Sequence, residues 1–280
     1  MSMIDVSNLT FGYEGSPELI FDHVSFQIDT SWKLGFTGRN GRGKTTFLRL
    51  LQGKYPYSGT ISASVEFEYF PYEVADLSRT GLEAVREIAP EAEDWEIQRE
   101  LGLLDLAEEA LEQPFSSLSN GEQTKVLLAA MFLKENAFLL IDEPTNHLDL
   151  EGRRKLGSYL ARKRGFLLVS HDRAFLDQCV DHILAINRTN IEIQRGNFSS
   201  WWENRRRQDA FELARQEKLQ KDIGRLTEAA RRASGWSDRT EKSKFGVDKT
   251  GAKAADRGFV GHKAAKLMQR SKSIQRRREE

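Results

Sequence analysis

The chain has 280 residues, of which 39% are hydrophobic and 30% are charged, so we expect a soluble, cytoplasmic protein. No apolar run approaches the roughly 20 residues that a transmembrane helix needs, and the N-terminus lacks the pattern of a signal peptide. The single cysteine, Cys179, excludes an internal disulfide and fits a reducing compartment.

The net charge of zero conceals two regions of opposite sign. Residues 201–280 contain 22 Lys and Arg against 12 Asp and Glu, whereas residues 1–200 contain 20 basic and 30 acidic residues. A basic extension on an acidic body is typical of a segment directed at nucleic acid, although a solvated helical face has the same charge pattern. We therefore predict two domains, at residues 1–200 and 201–280.

The first residues of the chain predict three strands, a glycine-rich turn and a helix. Alternating apolar residues predict strands at 4–9 and within 20–28, and a short apolar segment predicts a buried strand at 34–37. Residues 38–45 follow and read G-x-x-x-x-G-K-T, the phosphate-binding loop pattern. The apolar spacing after this loop predicts a helix that Gly53 stops.

The position of this motif between a strand and a helix is the context in which such a loop binds phosphates. Gly38, Gly41 and Gly43 let backbone N–H groups turn towards a polyphosphate, and the helix N-terminus adds a partial positive charge. Lys44 would reach the outer phosphates, and the Thr45 hydroxyl would ligate Mg²⁺. The residues predicted to bind the nucleotide are Gly38, Arg39, Asn40, Gly41, Arg42, Gly43, Lys44, Thr45 and Thr46.

A small helical subdomain is predicted to be inserted in the main domain. Residues 59–69 predict one or two short strands, with Tyr69 on one face. The sequence then becomes acidic and helix-prone, and apolar spacing predicts amphipathic helices at 82–88 and 97–104. We place this subdomain at about 75–135.

A strongly apolar helix at 124–133 completes this subdomain. Ser119 and Glu122, three residues apart, predict a capping box at its start. A glycine-containing helix N-terminus also presents free N–H groups, so the same residues could form an anion site. Both interpretations remain open from the residues alone.

Two adjacent carboxylates follow a continuous apolar run at 138–141, which is typical of a strand buried on both faces. Ligands of open α/β sheets bind at the carboxyl ends of the strands, where charged groups are costly unless they are used. Asp142 would hold Mg²⁺, directly or through water, and Glu143 would polarise the attacking water in phosphoryl transfer. A helix-capping role is the structural alternative for this pair.

The next elements bring a histidine to a strand end. A helix is predicted from 148 to about 164, followed by a buried strand at 165–169. His171 therefore lies where it could contact a γ-phosphate, although a lone histidine is usually structural. Residues 182–187 and 190–194 predict a closing hairpin.

The basic extension predicts an extended helical hairpin. An apolar stripe on charged sequence predicts a long helix from 201 to about 234. A loop-like basic segment at 236–261 contains several glycines, and helical sequence resumes at 262–278. Two helices joined by such a loop would pack as an antiparallel pair.

The ordered set of motifs resembles the nucleotide-binding cassette of the ABC superfamily. Residues 38–45 match the Walker A motif, residues 118–123 resemble the LSGGQ signature, and residues 138–143 match Walker B. Residues 147–149 resemble the D-loop, and His171 matches the switch histidine. These five motifs in this order make the resemblance very specific.

This resemblance implies an α/β P-loop fold with a mixed sheet core, an antiparallel β arm and a helical subdomain, followed here by the α-helical hairpin. It implies ATP and Mg²⁺ as cofactors, with Thr45 and Asp142 at the metal. It further implies that the protein is an ATPase in which Glu143 is the general base and Lys44 and His171 contact the phosphates.

The active site of the superfamily is shared between two cassettes, because the signature of one seals ATP that the other holds. Ser119, Asn120 (which replaces the first Gly of the signature), Gly121 and Glu122 would therefore act in trans. Tyr13 would stack on the adenine of ATP bound to its own chain. A single cassette is expected to bind ATP but to hydrolyse it poorly unless it meets a second cassette or a second copy of itself.

Within the superfamily the chain resembles the ABC-F proteins, on the sequences EPTNHLD at 143–149 and SHDRAFL at 170–176 and on its charged extension. These proteins are soluble translation factors that enter the ribosomal E site. The resemblance implies ribosomal RNA and tRNA as partners of residues 201–280. The tract at 256–272 resembles the linker of the antibiotic-resistance branch, which acts by ribosomal protection.

Two departures and two alternatives accompany this resemblance. Tyr72 stands where the superfamily usually carries Gln, which leaves contacts of that loop with Mg²⁺ and water in doubt, and the usual second cassette does not follow the linker. The alternatives are the ATPase subunit of a membrane transporter and a non-hydrolysing, ATP-gated binding module. The basic hairpin and the missing Gln disfavour the first. Glu143 disfavours the second for an intact protein of this family, whereas the single cassette favours it for this chain.

Overall fold

The computed structural model describes residues 2–16, 18–38, 41, 43–186, 191–242, 266 and 269. The chain divides into two compact units, residues 1–203 and residues 204–280. The described strands are β1 (Met3–Phe11), β2 (Phe21–Asp29), β3 (Lys33–Thr37), β4 (Ser58–Ser62), β5 (Glu66–Phe70), β6 (Ala137–Asp142), β7 (Phe166–Val169), β8 (His182–Ile186) and β9 (Ile191–Arg195). The helices are α1 (Lys44–Leu51), α2 (Gly81–Ile88), α3 (Asp94–Leu103), α4 (Glu109–Glu112), α5 (Asn120–Leu133), α6 (Leu150–Ala161), α7 (Arg173–Cys179) and α8 (Phe198–Lys242).

Two sheets form the first unit. The larger has six strands in the order β5-β6-β7-β3-β8-β9. The first five in this order are parallel, and β9 pairs antiparallel with β8. The smaller is antiparallel, in the order β2-β1-β4. The predictions of a mixed sheet and an antiparallel arm are confirmed.

The central strands are apolar throughout because the sheet is covered on both faces. In β6, Phe138 and Leu140 belong to an apolar cluster that includes residues of β1, β2 and α1. The alternate residues, Leu139 and Ile141, belong to a second cluster with residues of α5, α6 and α7. The two-residue period of a strand therefore divides one apolar run between two layers of the fold.

The helical subdomain lies between β5 and β6 in the sequence, and its first and last helices, α2 and α5, each begin with a capping box. The N-cap of α2 is Thr80, whose side chain and that of Glu83 each bond the other's backbone N–H. Ser119 and Glu122 form the same arrangement at the start of α5, so the capping interpretation of this pair is confirmed. The two predicted amphipathic helices are α2 and α3.

The long charged helix differs from its prediction. We expected it to end near residue 234, with a loop from 236, but α8 continues through Gly235 to Lys242, a total of 45 residues. One interior glycine costs about 1 kcal/mol relative to alanine, which is too little to end a long helix. Ion pairs between residues four positions apart, such as Arg205–Asp209 and Arg232–Glu228, stabilise the helix on its exposed surface.

The rest of the predicted hairpin falls mainly outside the described residues. Its loop from 243 to 261 and most of its second helix are not described, and only Lys266 and Gln269, both helical, belong to the structure there. Among the residues that are described, no helix is both long and apolar enough to cross a membrane.

Candidate functional site

The phosphate loop joins β3 to α1 and needs glycine at its last turn. Gly43 has a φ of 90°, in the left-handed region, and an added Cβ would lie 2.4 Å from Cγ2 of Ile20. Gly41 also has a positive φ, of 76°. A side chain would be strained at both positions by the backbone conformation, and at Gly43 it would also clash with Ile20. The predicted site residues Arg39, Asn40 and Arg42 lie outside the described residues.

Lys44 begins α1 and turns back over the loop. Its Nζ donates a hydrogen bond of 2.9 Å to the backbone oxygen of Gly38. Burial lowers the pKa of Lys44, while the carboxylates of Glu143 and Asp142 act in the opposite direction. The structure thus brings the predicted phosphate-binding lysine close to both predicted carboxylates.

Asp142, the last residue of β6, accepts hydrogen bonds from two hydroxyls at a single oxygen. Thr45 Oγ1 donates to Asp142 Oδ2 at 3.2 Å, and Tyr69 Oη donates to the same atom at 3.1 Å. Burial, followed by the charge of Asp142, raises the pKa of Tyr69 to about 12, which keeps the phenol protonated as a donor. No local sequence pattern predicts a functional role for Tyr69.

The oxygen ligands that Thr45 and Asp142 offer fit a magnesium ion bound together with nucleotide phosphates. Mg²⁺ prefers oxygen ligands, and it is usually held by one or two carboxylates plus phosphates and water rather than by a complete protein cage. Thr45 and Asp142 provide a hydroxyl and a carboxylate that already touch. Across the described part of the chain, no cluster of three His, Cys, Asp or Glu could hold a metal by itself.

Glu143 and His171 meet at the ends of neighbouring strands. Because β6 and β7 are parallel, their carboxyl ends share one edge of the sheet. His171 Nε2 lies 3.3 Å from Glu143 Oε1, without hydrogen-bond geometry, and the His171 backbone N–H donates to Glu143 Oε2 at 3.4 Å. Oε1 is thus a buried carboxylate oxygen that no group among the described residues donates to.

The backbone conformation and the pKa of Glu143 are both unusual. Its φ is 50°, a left-handed conformation that residues other than glycine adopt rarely, and such strain clusters at functional sites. Burial raises the pKa of the Glu143 carboxyl, and the proximity of His171 partly opposes this shift. A carboxylate with a raised pKa and an unused oxygen is suited to accept a proton.

Tyr13, predicted to stack on adenine, lies next to the first turn of α1. Its hydroxyl is 2.8 Å from Oγ1 of Thr46, and the residue is 43% exposed. It contacts Phe11 and Tyr55 edge-on, with ring centroids 5.2 and 5.8 Å away. Tyr55, which follows α1, completes this aromatic group, although no sequence motif marks it.

The signature residues do not lie with the phosphate loop but in a separate groove of about 540 Å³. Ser119, Asn120, Gly121 and Glu122 line one part of it, at the N-terminus of α5. Residues 147–149, predicted to be the D-loop, line another part. The signature residues, predicted to act in trans, and the predicted D-loop therefore share one surface.

Tyr72 makes its polar contact with the helical subdomain. Its ring packs against the apolar cluster of the helical subdomain, and its hydroxyl lies 3.4 Å from Oε1 of Glu87 on α2. The residue that replaces the usual glutamine therefore contacts the helical subdomain, while Tyr69, three positions earlier, contacts the predicted metal ligand.

Comparison with known proteins finds similarity to ABC cassettes. The ABC transporter family model matches residues 21–146. Over 77% of this chain, the sequence is 34% identical to the putative ATP-binding protein YdiF of Bacillus subtilis. It is 30% identical to ABC transporter F family member 5 of Arabidopsis thaliana over 78% of this chain. It is 32% identical to the ribosome protection protein VmlR of Bacillus subtilis over 80% of this chain. It covers 34%, 32% and 41% of these relatives, so it spans about a third of their length.

A solved structure shows the same fold. An ABC transporter in an inward-facing conformation aligns with 70% of this chain and 84% of its own, with a TM-score of 0.58 and 23% identity. The first unit accordingly has the α/β P-loop fold of an ABC cassette, as predicted. Such cassettes are in general ATPases that bind ATP, typically with Mg²⁺.

Proposed function

We propose that this chain binds ATP with Mg²⁺ and hydrolyses it, as one cassette of an ABC-F protein that acts on the ribosome. The observation that carries the catalytic part of this proposal is the meeting of four groups at one sheet edge. Thr45 contacts Asp142, and Glu143 contacts His171, beside the phosphate loop. Phosphoryl transfer needs charge stabilisation and an oriented water, and these side chains provide both.

Each residue has a distinct part in this mechanism. Lys44, which donates to the Gly38 carbonyl in the structure, exchanges that partner for oxygens of the outer phosphates. Glu143 accepts the proton of the attacking water at Oε1, the oxygen to which no described group donates. His171, 63% exposed and next to Glu143, contacts the γ-phosphate. Thr45 and Asp142 would hold Mg²⁺, which would offset the negative charge of the phosphates.

The signature groove is proposed to close on ATP held by another cassette. Its lining includes the N-terminus of α5, where a helix carries partial positive charge suited to phosphate. Ser119, Asn120, Gly121 and Glu122 are the residues proposed to make this contact. The chain alone should therefore turn over ATP slowly, and a second cassette or a second copy of the chain should accelerate it.

The ribosome is proposed as the partner of residues 201–280. The basic excess of this region, 22 Lys and Arg against 12 Asp and Glu, suits contact with ribosomal RNA and tRNA. Relatives named as ABC-F members and as a ribosome protection protein support this partner. Protection of the ribosome against antibiotics is the more specific form of the proposal.

Ribosome co-sedimentation of the Glu143→Gln variant tests this function. Without its general base the variant should stay ATP-bound and pellet with ribosomes in the presence of ATP, and less so at higher salt because phosphate contacts weaken. Glu112→Gln, at an exposed position of α4, is the matched control and should not be trapped. Absence of ATP-dependent pelleting, even with a second cassette supplied in trans, would contradict the ribosomal assignment.

The antibiotic role has its own measurement. Addition of the chain and a second cassette to a drug-inhibited translation reaction should restore peptide synthesis in an ATP-dependent manner. Ribosome binding without such restoration, across the main classes of peptidyl-transferase inhibitors, would leave the ribosomal function intact and remove the resistance role.

A further inference from the structure

Tyr69 reaches the metal-binding end of the sheet from a neighbouring strand. In the parallel pairing of β5 with β6, Tyr69 lies opposite Leu140, two residues before Asp142. Its side chain extends along the strand direction, so that Oη donates to Asp142 Oδ2 at 3.1 Å. Thr45 Oγ1 donates to the same oxygen at 3.2 Å from the other side of the site, on α1. Two hydroxyls from different elements thus hold one carboxylate oxygen.

The tyrosine ring is itself held in place. Tyr69 is partly buried and packs against the apolar cluster that lies between the sheet and α1. The ammonium group of Lys54 lies 5.7 Å from the ring centroid, within the range of a cation–π contact. A hydroxyl on a fixed ring keeps its position without further loss of conformational freedom, so its hydrogen bond can orient Asp142.

The loop after β5 does not duplicate this contact. Tyr72 directs its hydroxyl to Glu87 and packs against the helical subdomain. Within the described ranges, Thr45 and Tyr69 are the two side chains that hydrogen-bond to Asp142, and Tyr69 is the one on the β5 side. The polar contribution of this sheet edge therefore comes from the strand and not from the loop position that usually carries glutamine.

We infer that Tyr69 is a positioning residue for the divalent cation of the nucleotide site. It orients the carboxylate of Asp142 and so strengthens binding of the cation that Asp142 and Thr45 hold. This inference rests on the proposed binding of ATP with Mg²⁺. Partners that orient metal ligands typically change metal affinity by about 10- to 100-fold when they are removed.

The test measures cation binding directly, with Mn²⁺ as a paramagnetic probe. The 280-residue chain is saturated with a non-hydrolysable ATP analogue, and free Mn²⁺ is quantified by electron paramagnetic resonance. Tyr69→Phe, which removes only the hydroxyl, should weaken Mn²⁺ binding by about tenfold. Affinity for the analogue in the presence of a chelator should be unchanged, which a general structural defect would not give. Tyr72→Phe is the matched control and should leave both affinities unchanged.

The outcomes distinguish failure of the proposed role of Tyr69 from failure of the proposed ATP and Mg²⁺ site. If the wild-type chain binds no Mn²⁺ with the analogue, the proposed ATP and Mg²⁺ site is wrong. If the wild type binds Mn²⁺ and Tyr69→Phe matches it within twofold, only the role of Tyr69 is overturned.

If Tyr69→Phe does not fold, by its circular dichroism, 3-fluorotyrosine at position 69 replaces it. Its fluorine resonance should then shift when Mg²⁺ is added to the analogue complex. An unchanged resonance, in a complex that demonstrably binds Mg²⁺, would overturn the inference.

Discussion

Glu100, in the helical subdomain, and Glu143, at the phosphate-binding edge of the sheet, are two carboxylates that the fold withdraws from water in different ways. Glu100 is 2% exposed, and both of its oxygens accept hydrogen bonds. Its donors are Lys163, Tyr159 and Arg99. Glu143 has a buried Oε1 that receives no hydrogen bond from the described residues.

The same physical cause therefore ends in opposite pKa shifts. Burial raises the pKa of Glu143, and nearby His171 offsets only part of this effect. Burial also acts to raise the pKa of Glu100, but the hydrogen bonds from Lys163 and Tyr159 outweigh it and hold this pKa below its usual value. A buried charge with a complete set of donors joins two parts of the fold, whereas one without them is available for proton transfer.

The largest expected effect is the loss of turnover in Glu143→Gln. Removal of a general base lowers the rate by about 10²- to 10⁴-fold. Because the substitution also removes a partly buried charge whose Oε1 receives no hydrogen bond from the described residues, the free energy of unfolding should be unchanged or higher. Single-turnover ATP hydrolysis with a second cassette present, together with urea unfolding, measures both quantities. Retention of more than a tenth of the rate would contradict the role of Glu143.

Lys163→Met should instead lower the free energy of unfolding and leave ATP binding unchanged. It removes the better-buried of the two cations that pair with Glu100 and leaves only Arg99, whose side chain is 51% exposed. Breaking a buried ion pair typically costs about 3–5 kcal/mol of stability, and the remaining Arg99 contact should keep the loss towards the lower end of that range. ATP binding to the folded fraction should be unaffected, since neither residue belongs to the candidate site. Arg164→Met, at the exposed neighbouring position, is the control and should change the free energy of unfolding by less than about 0.5 kcal/mol.

Acid titration gives a second measurement of the Glu100 contact. Because the pKa of Glu100 is lower in the folded state, its contribution to stability is fully present above the ordinary value of 4.5 and is lost as the pH falls through the folded value. The stability difference between wild type and Glu100→Gln should therefore shrink on acidification in that range. A pH-independent difference would mean that Glu100 acts through packing and not through its charge.

The sequence predicts those parts of the fold and site whose partners are near one another along the chain. The phosphate loop is a contiguous motif between a strand and a helix, and the Ser119–Glu122 capping box spans four positions. The strand β6 is visible as an uninterrupted apolar run because both of its faces are covered. In each case a local rule and the tertiary structure agree.

The remaining features depend on contacts between distant positions. Tyr69 and Asp142 are 73 positions apart, and Glu100 and Lys163 are 63 apart, so no local pattern relates either pair. The continuation of α8 through Gly235 shows the converse, since a local helix-breaking signal was too weak to end a 45-residue helix.

Tyr159→Phe should have an intermediate effect on stability. It removes the 2.7 Å hydrogen bond from Tyr159 to Glu100 but leaves the charge of Glu100 paired with Lys163. The loss of one donor to a buried group costs about 1–3 kcal/mol, less than the loss of the cation. In the double variant with Glu100→Gln the two losses should not add, because both remove the same contact. Additive losses in urea unfolding would show that the Tyr159 hydroxyl acts independently of Glu100.

The smallest expected effect is that of Lys155→Met, which breaks an exposed version of the same kind of contact. Lys155 on α6 pairs with Asp105, which follows α3, but their side chains are 37% and 63% exposed. Water and salt screen such a pair, so its loss should cost at most about 1 kcal/mol. The difference from wild type should vanish in about 1 M salt, where the screening length is about 3 Å. The loss in Lys163→Met should persist there, because its partner is buried. Equal salt dependence of the two variants would mean that burial of Glu100 does not distinguish these two ion pairs.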